Sequence, residues 1–300
     1  MVKAIKWDGG TIKEPGVYSD IPLSVYHGQK ICPGPSVSSS GLRRVLEING
    51  GSPAHFYCDW SGNPNAIERE DSRAFIIGNA AHFLLLGQPH FAKHFAIRPF
   101  EFRDYRTNSA REWRDQQIAK GLIPLTDEDV EVVKGMAMSL GRHPLVSQGL
   151  LAGDVERSLF WQDKATGLWL KSRPDAIPTD SGDTSDLKST TSVSWPDLVR
   201  TISDWAYHQQ GALIREGLKA CCGIEMTSFS LVFVEKKPPY CARVVMLKDS
   251  DLDLGAKQNR KALDLIARCI DANHWPGPGE DHVTHIELSS RYRELAEAEQ

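Results

Sequence analysis

The sequence predicts an α/β fold, a central mixed sheet flanked by helices, and three observations carry that prediction. Between 154 and 190, short apolar segments alternate with turn residues, the texture of consecutive strands. Residues 195–223 then read as one or two helices and 226–235 as a further strand, so a mostly antiparallel run leads through a crossover helix back to the sheet. A long helical pattern from about Asp251 to Ala272 follows, and the chain shows neither an internal repeat nor a low-complexity block.

The elements follow in chain order. Residues 1–70 are rich in Gly, Pro and Ser and read as an irregular, partly helical extension. One short helix fits there, Gly41 to Ile48, with Leu42, Val45 and Leu46 as its apolar stripe and Ser39 or Ser40 as its cap. From Ser72, SRAFIIGNAAHFLLLG reads as a helix ending at Gly87, apolar on most sides and therefore buried. The stretch 98–121 is the most basic in the chain, with Arg98, Arg103, Arg106, Arg111 and Arg114 interleaved with Phe100, Phe102, Tyr105 and Trp113. Thr126 opens an acid-first helix carrying Val130, Val133, Met136 and Leu140 at helical spacing. VERSLFWQD, LWLKSRPDAIP and SDLKST are three strands, and RVVMLKDSD is an edge strand. The whole reads as a single domain over 1–300, with its core at 72–275 and a tail at 276–300.

Composition narrows the chemistry. With 41% hydrophobic and 25% charged residues the chain is of the globular type. No apolar run approaches the roughly 18 residues of a spanning helix, and MVKAIKWDGG lacks a signal-peptide core, so the expected location is the cytoplasm, away from membranes. Six cysteines without a C-x-x-C pair argue against a disulfide framework, an iron–sulfur cluster or a structural zinc site, which leaves oxygen donors for any metal. The formal charge of −4 does not announce a nucleic-acid binder, yet a local basic stripe beside an acidic site is compatible with one. No Gly-Lys dipeptide occurs, so there is no Walker A loop, and H-E-x-x-H is absent as well.

The informative residues are Asp175, after Pro174, and Asp186-Leu187-Lys188. Residues two apart on a strand share a face, so Asp186 and Lys188 project together while Leu187 packs behind. Asp175, eleven residues upstream, suits a neighbouring strand. Two converging carboxylates can hold Mg²⁺, and a lysine beside them can orient a water or help deprotonate it. The acid-x-Lys triplet alone carries nothing: 39 acidic residues and the chain's lysines predict about two by chance, and two occur, the other being Glu235 to Lys237. What distinguishes the first is its company, namely Glu156, Asp175 and His82.

SRPDAI followed by SDLKST resembles the PD-(D/E)xK nuclease core. GVYSDIPLSVYH, SVSSSGLRRVLE, GNAAHFLLLG, VERSLFWQD, TGLWLKSRPDAIP, DLKST and YHQQGAL are similar, in order, to successive blocks of the exodeoxyribonuclease VIII (RecE-like) family of phages and prophages, over roughly 16–215. Ile214 departs from the pattern, standing where RecB-type nucleases often carry tyrosine.

The resemblance implies a restriction-endonuclease-like core with Asp175, Asp186, Lys188, Glu156 and Gln210 as catalytic residues. It implies Mg²⁺, with Mn²⁺ as a substitute, held by His82, Asp175, Asp186 and the backbone carbonyl of Leu187. Gln210 would contact the attacking water or the scissile phosphate, and Tyr207, one helical turn away, would meet DNA. The implied activity is 5′→3′ degradation of double-stranded DNA from its ends by a homo-oligomeric ring, leaving 3′ single strands for a RecT-like annealing protein. From the arginine stripe, Arg106 and Arg111 are candidates for phosphate contacts, with a turn at Thr107-Asn108-Ser109 between them, and Trp113 is a candidate for stacking on a frayed base. The rival readings are a RecB or CRISPR-associated type of single-strand or flap nuclease, whose cysteine quartet is missing here, and a non-catalytic DNA-end-binding scaffold, which would have lost at least one of these charges.

Overall fold

The first seventy residues contribute strands as well as helices, contrary to their irregular composition. A computed structural model of the chain describes residues 3–67, 72–86, 91–155, 157–179, 181–280, 283 and 285–298. It opens with β1 (Ile5–Lys6), β2 (Gly16–Ser19), α1 (Leu23–His27), β3 (Ser36–Ser38), α2 (Ser39–Arg44), a 3₁₀ turn at Glu47–Asn49 and α3 (Pro53–Asp59). Next come α4 (Arg73–Leu85), α5 (Phe91–His94), β4 (Phe95–Ile97), α6 (Asn108–Ala119), β5 (Ile123–Leu125), α7 (Asp127–Arg142) and α8 (Pro144–Ser147). The strand-rich part holds β6 (Asp154–Val155), β7 (Ser158–Gln162), β8 (Trp169–Ser172), β9 (Ala176–Ile177) and β10 (Asp183–Thr190). The chain then runs through α9 (Trp195–Asp204), α10 (Tyr207–Cys222), β11 (Ser228–Glu235), β12 (Ala242–Met246), α11 (Asp249–Ala272) and α12 (Ser290–Ala298).

A five-stranded mixed sheet has the order β1-β2-β7-β8-β3, with β2, β7 and β8 antiparallel and β3 parallel to β8. The strands that join β2 and β3 to the rest of the sheet, β7 and β8, thus lie more than a hundred residues away in sequence, which is why no local period announces them. A second sheet, β10-β11-β12, pairs β10 with β11 in parallel across the α9–α10 crossover, and β12 closes it as an antiparallel edge.

Most of the expected helices appear, with capping as the local cause. Ser72 caps α4 by accepting from the Phe75 N–H, and Thr126 with Asp129 forms a capping box on α7. Helix α4 buries Gly78, Ala80, Ala81 and Phe83, but Phe75 and Leu84 face solvent, so it is covered on one side rather than most. Helix α2 ends earlier than its apolar stripe suggests. It follows β3 directly, and neither Ser39 nor Ser40 caps it: the N-cap position is Ser38, without a side-chain capping bond.

The second sheet is covered on both faces, and its LVFV run at 231–234 is apolar throughout for that reason. One face packs with the five-stranded sheet, α2, α10 and α11 around Leu170, Leu213, Phe229, Phe233, Leu252 and Leu263. Leu187, Val232 and Val234 pack into the other cluster, with Ala81 of α4 and Met136 and Leu140 of α7. Burying a side chain such as Leu187 contributes about 1.5–3 kcal/mol, and it places Asp186 and Lys188 on the opposite side, beneath α10.

A buried lysine supports the first sheet. Lys171 of β8 donates from Nζ to Tyr26 O (2.7 Å) and Gly28 O (3.0 Å), tying the end of α1 to the sheet. Burial lowers its pKa to about 8. The unfolded chain therefore holds this proton more tightly, so stability should rise with pH between about 8 and the ordinary lysine value of 10.5. Urea unfolding of the protein and of Lys171→Met at pH 7.5 and pH 10 should show the difference moving in favour of the native lysine at pH 10. A difference that does not change with pH would mean that the amine is solvated.

Candidate active site

Four elements converge on the two acids. Asp186 and Lys188 lie on β10, Asp175 in the bend entering β9, His82 on α4, and Tyr207 and Gln210 on the first turn of α10. Helix α4 reaches β10 through a close approach at Gly78, where an added Cβ would lie 3.0 Å from Ser189 Oγ. That approach brings His82 Nδ1 to 3.3 Å from Asp175 Oδ1. The other oxygen of Asp175 accepts from the Leu187 N–H at 2.5 Å, locking the bend to β10. Gln210 Nε2 donates to Asp186 Oδ1 at 3.0 Å, and Lys188 Nζ pairs with Asp186 Oδ2. Lys188 Nζ also sits 5.0 Å from the centroid of the Tyr207 ring, which in turn packs on Phe233 at 6.1 Å.

The charges are strongly interdependent. Burial works to raise the Asp175 pKa, but His82, Lys188 and the Leu187 amide outweigh it and hold the carboxyl below its usual range. Burial and the charge of Asp175 push Asp186 up, against Lys188 and His82. Lys188 is raised, because Asp186, Asp175 and the Tyr207 hydroxyl outweigh its burial. Burial opposes protonation of His82, yet Asp175 leaves its pKa raised.

Among the described residues, no three His, Cys, Asp or Glu side chains already stand together as a ligand shell. The donor set nevertheless fits a hard divalent cation. Asp186 Oδ2 is buried and, apart from its ion pair with Lys188, makes no hydrogen bond. Two partly like-charged carboxylates in low dielectric, with an imidazole beside one of them, gain from a cation between them.

Two cavities lie nearby, the first beside Ala206 at the start of α10 and the second reaching the group itself. One of about 550 Å³ is lined by residues including Ser38, Ser40, Arg43, Trp60 and Trp205. The other, of about 400 Å³, includes His82 and Asp175 in its wall, with Asn79, Lys93 and Arg173. Arg43 was not singled out by the sequence, where it reads only as a helix residue. Its Nη1 donates to Trp205 O, which brings its charge near Tyr207 and Asp186.

The structure therefore brings together Asp175, Asp186, Lys188, His82, Gln210 and Tyr207, and engages Leu187 through its N–H. Glu156 lies outside the described residues. Arg106, Arg111 and Trp113 are not drawn into the group: α6, which carries the last two, packs on β5. The turn between the arginines exists, as Thr107 caps α6 through the Ala110 N–H. Arg106 is exposed beside Asp104, Arg111 bonds Asn108, and Trp113 packs against Phe102. Arg98 leaves the basic stripe altogether, being buried and paired with Asp127 at 3.0 Å.

Residues 38–284 match the family model described as a PDDEXK-like domain of unknown function (DUF3799). The chain belongs to that family. The PDDEXK-like fold is also that of a candidate exonuclease from Eubacterium rectale, whose crystal structure superposes with a TM-score of 0.63 at 15% identity, covering 92% of this chain and 98% of that one. An alkaline exonuclease from Laribacter hongkongensis overlaps at 11% identity over 56% of this chain and 86% of its own, with a TM-score of 0.23. No curated protein matches the sequence. Pro174-Asp175 and Asp186-x-Lys188, the residues whose pattern resembles the PD-(D/E)xK signature, occupy the converging positions described above. Among the described residues of this PDDEXK-like chain, no helix is long and apolar enough to cross a membrane.

Proposed function

We propose that this chain is a divalent-metal-dependent exodeoxyribonuclease that degrades linear double-stranded DNA from its ends, of the RecE-like kind. The observation that carries the proposal is the convergence of Asp175, Asp186 and Lys188 with His82 and Gln210 on a PDDEXK core. Asp175, Asp186, His82 and the Leu187 carbonyl would hold Mg²⁺ or Mn²⁺, with Glu156 as a further acid. When bound, such a cation polarises the scissile phosphate and acidifies water.

The remaining chemistry belongs to the chain's own side chains. Lys188, held between Asp186 and the Tyr207 ring, presents a positive charge to the phosphate and orients the nucleophile. Gln210 keeps one Asp186 oxygen directed and reaches the same space. The 550 Å³ cavity offers hydroxyls from Ser38 and Ser40, the Arg43 guanidinium and the Trp60 and Trp205 rings, groups suited to phosphates and unpaired bases. Arg106, Arg111 and Trp113 serve as an outer contact for the duplex in this reading. Polarity 5′→3′, a homo-oligomeric ring and a RecT-like annealing partner complete it by resemblance.

Digestion of end-labelled linear, nicked and circular duplexes tests this reading. Linear DNA should be shortened with Mg²⁺ or Mn²⁺, and circular DNA should survive. Ca²⁺ should permit binding without turnover, because the larger ion acidifies water less. Undiminished cleavage in EDTA, or equal cutting of closed circles, would overturn it.

A further inference from the structure

Helix α10 begins without a side-chain cap, its first turn held locally only by the Ala206 carbonyl, which accepts from the Gln209 and Gln210 N–H groups. Ala206, which precedes it, is buried with φ 46° and ψ 48°, a left-handed conformation that L-residues disfavour, and its side chain offers no cap. Yet this turn carries Gln210, whose amide reaches Asp186. At a helix radius of about 6 Å, a rotation of about 20° displaces a side-chain tip by about 2 Å, enough to break that bond. Something outside the turn has to set the rotation.

Three buried or half-buried amides meet on the inner side of that turn. Asn49, at the end of the 3₁₀ turn, donates from Nδ2 to Gln209 Oε1 (2.7 Å) and to Arg43 O (3.2 Å). Gln209 Nε2 donates to Asn259 Oδ1 of α11 (3.3 Å), and Asn259 Nδ2 returns a bond to Gln209 O (2.9 Å). Gln209 is fully buried and Asn259 is 2% exposed. Beside them Gly255 lets α11 touch the α10 backbone, since an added Cβ would lie 2.4 Å from His208 O. The surroundings are apolar, with Leu213, Leu252, Leu263 and Phe229 in the same cluster. An apolar residue at 209 would pack comparably in several rotations, whereas an amide in low dielectric is satisfied in one.

We propose that Asn49, Gln209 and Asn259 form an amide clamp that fixes the rotation of α10, and so act as positioning residues for Gln210. The inference rests on the nuclease reading above, in which Gln210 works at the Asp186 site.

The test is a double-mutant cycle on DNA hydrolysis with Gln209→Met, which keeps the volume and removes the amide, and Gln210→Ala. Gln209→Met should melt cooperatively and lower kcat by about tenfold or more with KM for DNA ends within about twofold, the signature of a group acting on the reacting state. Added to Gln210→Ala, it should cost less than about twofold further, because the residue it positions is already gone. Hydrogen exchange at residues 207–211 should accelerate in Gln209→Met, independently of any activity. Asn49→Ala, which removes the half-buried end of the clamp, gives the same cycle if Gln209→Met does not fold. A full multiplicative loss in the Gln210→Ala background would overturn the clamp and make these amides structural only. A slow Gln210→Ala with a wild-type Gln209→Met would overturn the clamp alone. Wild-type rates in Gln210→Ala would remove the role of Gln210, and the clamp with it, while Asp186 variants report separately on the nuclease reading.

Discussion

Asp186→Asn is expected to reduce Mg²⁺-dependent DNA hydrolysis by at least about 10³-fold. In the proposed site Asp186 would hold the cation, and losing such a carboxylate would forfeit several kcal/mol of charge stabilisation, each 1.4 kcal/mol or so being tenfold in rate. The fold should survive the change. Asparagine retains an acceptor for Gln210 Nε2, and burial together with the charge of Asp175 already disfavours ionised Asp186. Asp175→Asn should be as damaging, since it also removes the carboxylate facing His82 and the Leu187 amide. Single-turnover digestion of linear duplex, with circular dichroism as the control for folding, measures both. Either folded variant cutting at near wild-type rate would show that the cation is held elsewhere.

Lys188→Met should cost about 10²-fold or more, the usual scale for a positioned group acting on the nucleophile or leaving group. Methionine keeps the aliphatic packing over Tyr207 but leaves Asp186 without its ion pair. Lys188→Arg retains the charge in a planar, wider head, so it should recover part of the rate and no more. The loss should fall on kcat rather than on DNA affinity, because the ammonium lies in the buried group and not on an outer surface. A Lys188→Met enzyme with unchanged kcat would reduce the lysine to a counter-ion for Asp186.

The legible part of the site was the part governed by short-range periodicity. Asp186, Leu187 and Lys188 alternate on a strand, and burial of Leu187 decides which face the two charges take. Tyr207 and Gln210 are three apart on a helix, so they had to share a face. Ser72 and Thr126 mark helix starts because a capping hydroxyl satisfies an amide a few residues away. Arg43 carried no such mark, since its place beside Tyr207 and Asp186 depends on how α2 meets α10.

By itself, then, the sequence determined the α/β class, the β10 face that carries the charges and the starts of its best-capped helices, all consequences of contacts within about one turn or one pleat. Tertiary structure alone decided that β2 and β3 join β7 and β8, that Arg98 leaves the surface to pair with Asp127, and that Asn49, Gln209 and Asn259 meet. Those contacts join residues 29 to 160 positions apart in the bonds that form them. Their formation depends on loop closure and on the packing of whole elements, and neither leaves a local period to read.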